Sequence, residues 1–311
     1  MGFEITGVGS LPHTDVGEAV AFVDTTTTVS YVPQLPQRHP SEGMIVQWGD
    51  GLCGCGPGGA YGLVHGAAYG DRAEAESTAT TFLTGRRDAV IKTQATGPIT
   101  LGLAMLRGGA DMAVLWDGLV AGLIERIDSH VATIRRMVPG VSVVLILDEP
   151  LLAAWGSERG PDADLGLVRD VLGAVIHGVS VRPGVHCCGD PDWAMIAGLG
   201  PRWFSWDVAS LGPGFTDRVD SIADAIGNGT GVMWGVAPTS LNPIPDIETL
   251  VRRYQIALTR LVAAGAPLGP MHGNAWYTPG CGLTGTTVPD AAHVMQVVHD
   301  VVDRIHGGED R

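Results

Sequence analysis

The sequence predicts an α/β protein with a single (β/α)8 TIM barrel that spans residues 1–311. Short apolar segments recur along the chain, patterns typical of helices separate them, and no long polar linker interrupts the alternation. Strands that alternate with helices favour a parallel sheet with helical crossovers, and eight such units close a barrel. If fewer strands form, the alternative is a doubly wound open sheet.

The predicted strands are short apolar runs. Val141–Leu147 is the clearest because it is almost continuously apolar, as expected of a strand covered on both faces. In chain order, the predicted strands are Ile5–Ser10, Val29–Gln34, Ala89–Ala95, Val141–Asp148, Val181–Cys187, Trp203–Val208, Gly231–Val236 and Pro267–Gly273.

Apolar residues spaced three and four apart predict helices between these strands. The longest pattern covers Asp111–Met137, and Pro289–His306 begins with a proline, which is favourable in a first helical turn. Another helix begins at Pro245 or Asp246 and reaches Leu261. The shorter predicted helices are Thr14–Val23, Ala73–Leu83, Asp164–Ile176, Asp192–Ala197 and Thr216–Ile226, and the glycine-rich segment Gly49–Gly62 is predicted to be a long loop.

Composition limits the class of partner. A formal net charge of −14 argues against nucleic acid or an anionic membrane surface. The content of 45% hydrophobic and 17% charged residues indicates a globular chain. No apolar run approaches the roughly 18 residues of a membrane-spanning helix, and the first residues lack the basic segment of a secretion signal. With five cysteines, an odd number, these features predict a cytoplasmic protein.

The clearest chemical signal is His186-Cys187-Cys188, followed much later by Cys281 in a turn of proline and glycine. His186 and Cys188 are two residues apart at the end of a predicted strand, so they share one face. One imidazole and two thiolates suit zinc (Zn2+), and three protein ligands leave a coordination position for substrate. A zinc-bound thiol is deprotonated at neutral pH, which suits thiol chemistry. The alternative is that these cysteines are buried and bind nothing.

Polar residues also follow most of the other predicted strands. The carboxyl ends of the strands of a TIM barrel line its active site, although helix capping explains any single polar residue there. The residues concerned are Ser10 and His13, Gln94–Thr96, Asp148 and Glu149, Asp207, Pro238–Ser240 and Asn274–Cys281.

Five short motifs together resemble a known family. They are Gly7–Pro12, Thr96–Thr100, Asp148–Pro150, His186–Cys188 and Pro279–Leu283, in that order. This arrangement resembles the C-terminal catalytic barrel of cobalamin-independent methionine synthase. More broadly, it resembles the superfamily that also contains uroporphyrinogen decarboxylase and corrinoid:thiol methyltransferases. The resemblance extends from about residue 7 to about residue 306.

The resemblance implies a ligand set for zinc. By position, the ligands are His186, Cys188, Asp207 and Cys281. The family usually has Glu where this chain has Asp207, and the shorter carboxylate reaches less far.

The resemblance also implies residues for a thiol substrate. Gly9 and Ser10 match the turn that holds the amino-acid part of homocysteine. Asp148 matches the carboxylate that faces the substrate ammonium group, so we expect it to be both catalytic and substrate-binding. Gln47 stands where the family has a substrate-contacting Glu. Glu149 is included among the expected substrate-binding residues, with capping of the following segment as its alternative.

Two departures from the family concern the methyl donor. The family's second, N-terminal barrel has no counterpart here, and Pro238-Thr239-Ser240 replaces the segment that carries the family's acid histidine. Without an acid, a folate nitrogen is a poor leaving group. A methylcorrinoid releases cobalt(I), which needs no proton. We therefore expect a methylcorrinoid, free or on a corrinoid protein, in preference to methyl-tetrahydrofolate.

These observations predict a zinc-dependent homocysteine S-methyltransferase that forms methionine. The first alternative is alkyl transfer to another small thiol such as coenzyme M, and the second is a non-catalytic zinc- or thiol-binding homologue. A decarboxylase of the uroporphyrinogen type is disfavoured by the Cys/His set and the scarcity of lysine. Cys53 and Cys55 are either a redox or second metal pair or unliganded thiols.

Overall fold

Seven parallel strands form one sheet in the computed structural model, which describes residues 3–52, 72–108, 110, 112–154, 165–211, 219–239 and 244–307. The strands are β1 (Glu4–Ile5), β2 (Val90–Thr96), β3 (Ser142–Asp148), β4 (Gly184–Cys187), β5 (Trp203–Asp207), β6 (Gly231–Ala237) and β7 (Trp276–Pro279). Their order is β1-β7-β6-β5-β4-β3-β2, and every neighbouring pair is parallel. The predicted α/β class with a parallel sheet is therefore confirmed.

The sheet is curled, because residues from strands near its two edges pack together. Val90 of β2 and Trp276 of β7 belong to one small apolar cluster, although five positions of the strand order separate their strands. Val29, Ile146 and Met233 complete its buried centre. A flat sheet would hold these side chains far apart. The cluster therefore fills the inside of a barrel-like curl, while the main core lies between the sheet and its helices.

The segment 28–34 replaces the predicted strand Val29–Gln34, and the described residues therefore hold seven strands instead of eight. This segment makes only two isolated parallel bridges, Ser10 to Gln34 and Tyr31 to Lys92. Its backbone nevertheless bonds to both sides, since Thr28 N–H donates to Ile5 and Val32 N–H donates to Lys92. It thus lies between β1 and β2 without forming a regular ladder.

The predicted strand Pro267–Gly273 is wrong. Its residues form the short helix Leu268–Met271, and the last strand is β7, a few residues later. Two prolines in the predicted segment cannot donate to a ladder, and one of them fits the first turn of a helix instead. Trp276 and Tyr277, which have aromatic side chains that favour strands, form the ladder.

The helices lie mostly where the apolar spacing predicts them. Asp246 caps the helix Ile247–Ala263 by accepting from Thr249 N–H, and Thr287 caps the last helix in the same manner. Two helices of six residues or more were not predicted, Met44–Gly49 and Pro98–Arg107, and neither was the short helix Val208–Leu211. The remaining helices of four residues or more are Val16–Thr26, Arg72–Leu83, Met112–Met137, Leu165–Gly178, Trp193–Gly198, Val208–Leu211, Val219–Gly227 and Val288–His306.

The strands point in one direction, so their carboxyl ends meet at one edge of the curl. Polar residues at these ends are thereby brought together from distant parts of the sequence. In the part of the chain that the structure describes, no helix has both the length and the apolar character needed to cross a membrane.

Candidate metal centre

Three predicted zinc ligands come together at this edge. One ligand atom from each of His186, Cys188 and Cys281 lies within 4.8 Å of the other two. His186 is on β4, Cys188 follows that strand directly, and Cys281 follows β7. His186 is buried, and both cysteine residues are half-buried. The resulting group has one nitrogen and two sulfur donors.

The imidazole of His186 is oriented by a neighbouring strand. Parallel pairing places Ser205 of β5 beside His186, and their Oγ and Nδ1 atoms are 3.0 Å apart. The other ring nitrogen, Nε2, is buried and has no hydrogen-bond partner among the described residues. A buried polar atom without a partner is costly. Nε2 is therefore the nitrogen available to a metal, and Ser205 holds the ring as the outer partner of a metal ligand does.

Cys281 is held in a turn by two flanking glycines. A side chain at Gly280 would collide with the Asp207 carboxylate, with a Cβ only 2.5 Å from Oδ1. A side chain at Gly282 would lie within 2.1 Å of Ser10 Oγ. Only glycine permits these approaches. The backbone on either side of Cys281 can therefore lie against the ends of β5 and the Gly9–Ser10 turn.

The two thiols do not have the same proton affinity. The Cys281 thiol and the His186 ring, both close to the Cys188 sulfur, stabilise its thiolate and lower the pKa of Cys188 to about 4. The same contact with Cys188, together with burial, raises the pKa of Cys281. One thiolate is thus favoured even without a metal, and a divalent cation would favour both.

Cys187 lies on the other side of β4. Its side chain is fully buried in the main core, and burial raises the pKa of its thiol to about 12. This position follows from the alternation of side chains along a strand.

Asp207 is close to the three-ligand group but is not a member of it. It is buried at the end of β5, and its Oδ1 accepts a hydrogen bond from Ser210 N–H at 2.9 Å. Burial raises the pKa of its carboxyl group. The charge of Cys188 raises this pKa further, whereas the charge of His186 lowers it. Zinc ligation by Asp207 stays a prediction, since its side chain would have to give up or share the Ser210 contact.

Asp148 lies beside the predicted metal ligands. It ends β3 directly opposite His186, and its Oδ1 atom is buried without a hydrogen-bond partner among the described residues. Burial raises the pKa of Asp148 to about 6, while His186 and Lys92 act in the opposite direction. A buried carboxylate oxygen with no protein donor suits a cationic ligand group.

The Gly9–Ser10 turn reaches the metal site through the Cys281 turn. Leu283 N–H donates to Ser10 C=O at 2.8 Å. Neither Gly9 nor Ser10 donates its own N–H to any of the described residues. Gln47 lies one step further away, where it accepts from Gln34 Nε2 at 2.5 Å. The structure therefore brings Ser10 to the site directly and Gln47 only through Gln34, and substrate contact by either stays a prediction.

The carboxylate of Glu149 holds the start of a helix, and substrate contact by this residue stays a prediction. Its Oε1 accepts from Ile99 N–H at 2.9 Å, and its Oε2 accepts from Thr100 N–H and from Thr100 Oγ at 2.7 and 2.6 Å. The two N–H groups are first-turn donors of Pro98–Arg107 that have no partner within the helix. Gly97 leaves room for this carboxylate, since a Cβ there would lie 2.2 Å from Oε1. The capping alternative for Glu149 thus has direct geometric support.

A zinc ion fits these donors. The orphaned Nε2 of His186, the soft thiolates and the oriented imidazole form the ligand set of a site with a free position. Three of the four predicted ligands converge. Cys53, Cys55 and Ser240 lie outside the described residues.

Sequence reasoning missed Ser205, Gln34 and Lys92. Ser205 and Asp207 are two apart on β5, so the same alternation that grouped His186 with Cys188 contained the signal for Ser205. Gln34 belongs to a segment that pairs irregularly, and no spacing rule indicates its partner.

Solved structures share this fold. A methyltransferase from Methanosarcina mazei superposes with a TM-score of 0.58 at 13% sequence identity, covering 96% of this chain and 93% of that chain. A B12-independent methionine synthase from Shewanella sp. W3-18-1, in complex with selenomethionine, superposes with a TM-score of 0.50 at 14% identity, covering 76% of this chain and 66% of that chain. No family model and no curated protein matches the sequence. The barrel-like fold implied by the resemblance is thereby confirmed.

The ligand group predicts the metal content. Purified protein is expected to bind about one zinc per chain, and Cys188→Ser or Cys281→Ser should lose most of it because each removes a thiolate. Cys187→Ser is the matched control and should retain the metal, since this thiol lies in the core. Metal analysis by mass spectrometry measures all four proteins. Full zinc occupancy in both ligand variants would show that the group is not a metal site.

The contacts of Glu149 predict a loss of stability. Glu149→Gln replaces one acceptor oxygen by an amide that faces N–H donors, so the free energy of unfolding should fall by about 1–3 kcal/mol. Urea denaturation followed by circular dichroism measures this change. The exposed Asp170→Asn is the control for loss of a carboxylate. An unchanged midpoint for Glu149→Gln would mean that these hydrogen bonds contribute nothing to the fold.

Proposed function

We propose that this chain is a zinc-dependent methyltransferase that transfers a methyl group to the thiol of homocysteine or a similar small amino-acid thiol. The observation that carries the proposal is the convergence of His186, Cys188 and Cys281 with a buried, unpartnered imidazole nitrogen. Zinc held by these residues would lower the pKa of a bound thiol and so supply a nucleophilic sulfur at neutral pH.

The protein's own groups hold and orient the acceptor. The sulfur end of the acceptor enters between the half-buried Cys188 and Cys281 side chains. We assign its carboxylate to the N–H groups of Gly9 and Ser10 and its ammonium group to Asp148 Oδ1, since none of these atoms has a partner among the described residues. These three contacts fix both ends of a short amino acid, which lowers the entropic cost of aligning its sulfur with a methyl donor.

The charge of Asp148 favours an amino-acid thiol over coenzyme M. The Asp148 carboxylate attracts an ammonium group and repels a sulfonate. Lys92, the cation that acts on Asp148, already donates to Val8 C=O and Gln94 Oε1. An anionic acceptor would therefore have a weaker electrostatic match to this site.

The comparisons support methyl transfer on this scaffold. The Methanosarcina mazei protein, described as a methyltransferase, matches nearly the whole chain, whereas the methionine synthase match spans about two thirds of that enzyme. The first of these proteins is about as long as this chain and is described as a methyltransferase.

The donor proposed is a methylcorrinoid, with methyl-tetrahydrofolate as the less favourable donor. Pro238 and Thr239 follow β6, and neither side chain is a general acid that protonates a leaving nitrogen. A corrinoid leaves without a proton.

The first functional prediction concerns Asp148. Asp148→Asn should raise KM for homocysteine by about tenfold or more, because a charge-assisted contact is worth about 1.5–3 kcal/mol. Its KM for 2-mercaptoethanol, which has no ammonium group, should change little. Initial rates with zinc and methylcobalamin measure both values. Equal losses with the two thiols would assign Asp148 to the fold or the metal site instead.

The second functional prediction concerns the donor. Wild-type zinc protein should methylate homocysteine faster from methylcobalamin than from methyl-tetrahydrofolate at equal concentration, since only the folate needs an acid. Rates are measured by methionine formation, with the Cys281→Ser variant as a control for uncatalysed transfer. Equal rates from both donors would show that an acid is supplied elsewhere in the site, which would make the corrinoid preference wrong.

A further inference from the structure

Lys92 is the single lysine of the chain. The other basic residues are all arginines, yet this one lysine lies on β2 with only 2% of its surface exposed. Burying an ammonium group is costly unless it is hydrogen-bonded, and here burial lowers the pKa of Lys92 to about 8. A buried cation in a chain that otherwise uses arginine indicates a specific task at that position.

The ammonium group holds the backbone just before the Gly9–Ser10 turn. Lys92 Nζ donates to Val8 C=O in a short hydrogen bond and to Gln94 Oε1 at 3.3 Å. Gln94 then donates from Nε2 to Val32 C=O at 2.9 Å. The lysine thus connects β2 to the turn on one side of segment 28–34, and its neighbour Gln94 connects β2 to the segment itself.

Close packing fixes the turn against the side chains of Gln94 and Tyr31. A Cβ at Gly9 would lie 2.4 Å from the Gln94 side chain, and one at Gly7 would lie 2.3 Å from the Tyr31 ring. Gly9 has a φ of +156°, which other residues rarely adopt. The turn therefore packs closely against Gln94 and Tyr31. Lys92 holds the carbonyl of Val8, which lies between Gly7 and Gly9.

The turn transmits this position to the metal site. Ser10 C=O accepts from Leu283 N–H at 2.8 Å, and Ser10 Oγ lies against Gly282, next to the metal ligand Cys281. A displaced Val8 would shift Gly9 and Ser10 relative to Cys281. The N–H groups of the turn would then no longer match the carboxylate of a ligand whose sulfur is held at the metal.

We propose that Lys92 is the positioning residue of the Gly9–Ser10 turn and thereby sets the affinity for the carboxylate end of an amino-acid thiol. The inference rests on the proposed function, because that function places the carboxylate at this turn. Lys92 acts through Val8 and does not touch the acceptor. Its loss should therefore weaken recognition of the amino-acid end and leave the metal and the thiol end unchanged.

The single lysine allows a test on the wild-type protein. Labelling lysine with 13C at Cε gives one assigned side-chain signal in a two-dimensional NMR spectrum. Adding homocysteine to the zinc-loaded protein should shift this signal as the turn tightens, whereas 2-mercaptoethanol should leave it in place. If the chemical shift of this signal does not change at homocysteine concentrations that saturate turnover, the positioning role is wrong.

A variant provides the second test. Lys92→Met should raise KM for homocysteine by about tenfold, as expected for loss of a charge-assisted hydrogen bond. Its kcat, its KM for 2-mercaptoethanol and its zinc content should change little. Arg86→Met is the matched control, because Arg86 is also a largely buried cation. It donates to Ser30 and lies just before the start of β2, at the end of the strand away from the metal site. The control variant should lower stability without changing the ratio of the two KM values.

The outcomes separate the two proposals. If wild-type zinc protein methylates homocysteine but Lys92→Met changes both KM values equally, the positioning role is wrong and the proposed function stands. If the wild type neither methylates homocysteine nor shows a shift of the lysine signal, the proposed function is wrong and the role of Lys92 fails with it.

Discussion

The parallel register of β3, β4 and β5 is the constraint on which the site depends. It places Asp148 opposite His186 and His186 opposite Ser205, so one row of paired residues holds a carboxylate, an imidazole and the hydroxyl that orients it. A shift of one residue in either pairing would turn His186 towards the helices. The apolar runs that fill the main core fix this register, and hydrophobic burial thereby determines the chemistry at the rim.

How far the sequence predicted this structure depends on how regular each segment is. His186, Cys188 and Cys281 could be grouped because alternation and strand ends are local rules. The segment 28–34 and the last strand could not be placed as well. The first pairs through isolated bridges, and aromatic residues after two prolines form the second. Glu149 shows the same limit, since its helix partners come from about fifty positions earlier and no local pattern indicates them.

Glycine decides how closely the parts of the site approach. Gly280 and Gly282 let Cys281 lie between Asp207 and Ser10, and Gly97 admits the carboxylate of Glu149. Each of these positions brings a polar side chain against bare backbone. The glycine content of these motifs is thus a packing requirement of the site.

The sparse pairing of segment 28–34 leaves a weakly bonded part of the barrel-like sheet next to the Gly9–Ser10 turn. Elsewhere β2 and β3 pair over seven consecutive positions, whereas this segment meets its neighbours at two bridges. Local opening begins where backbone bonding is thinnest. A ligand that binds the Gly9–Ser10 turn would strengthen the sheet where segment 28–34 pairs weakly. Binding at the site would therefore also make unfolding of the whole protein more cooperative.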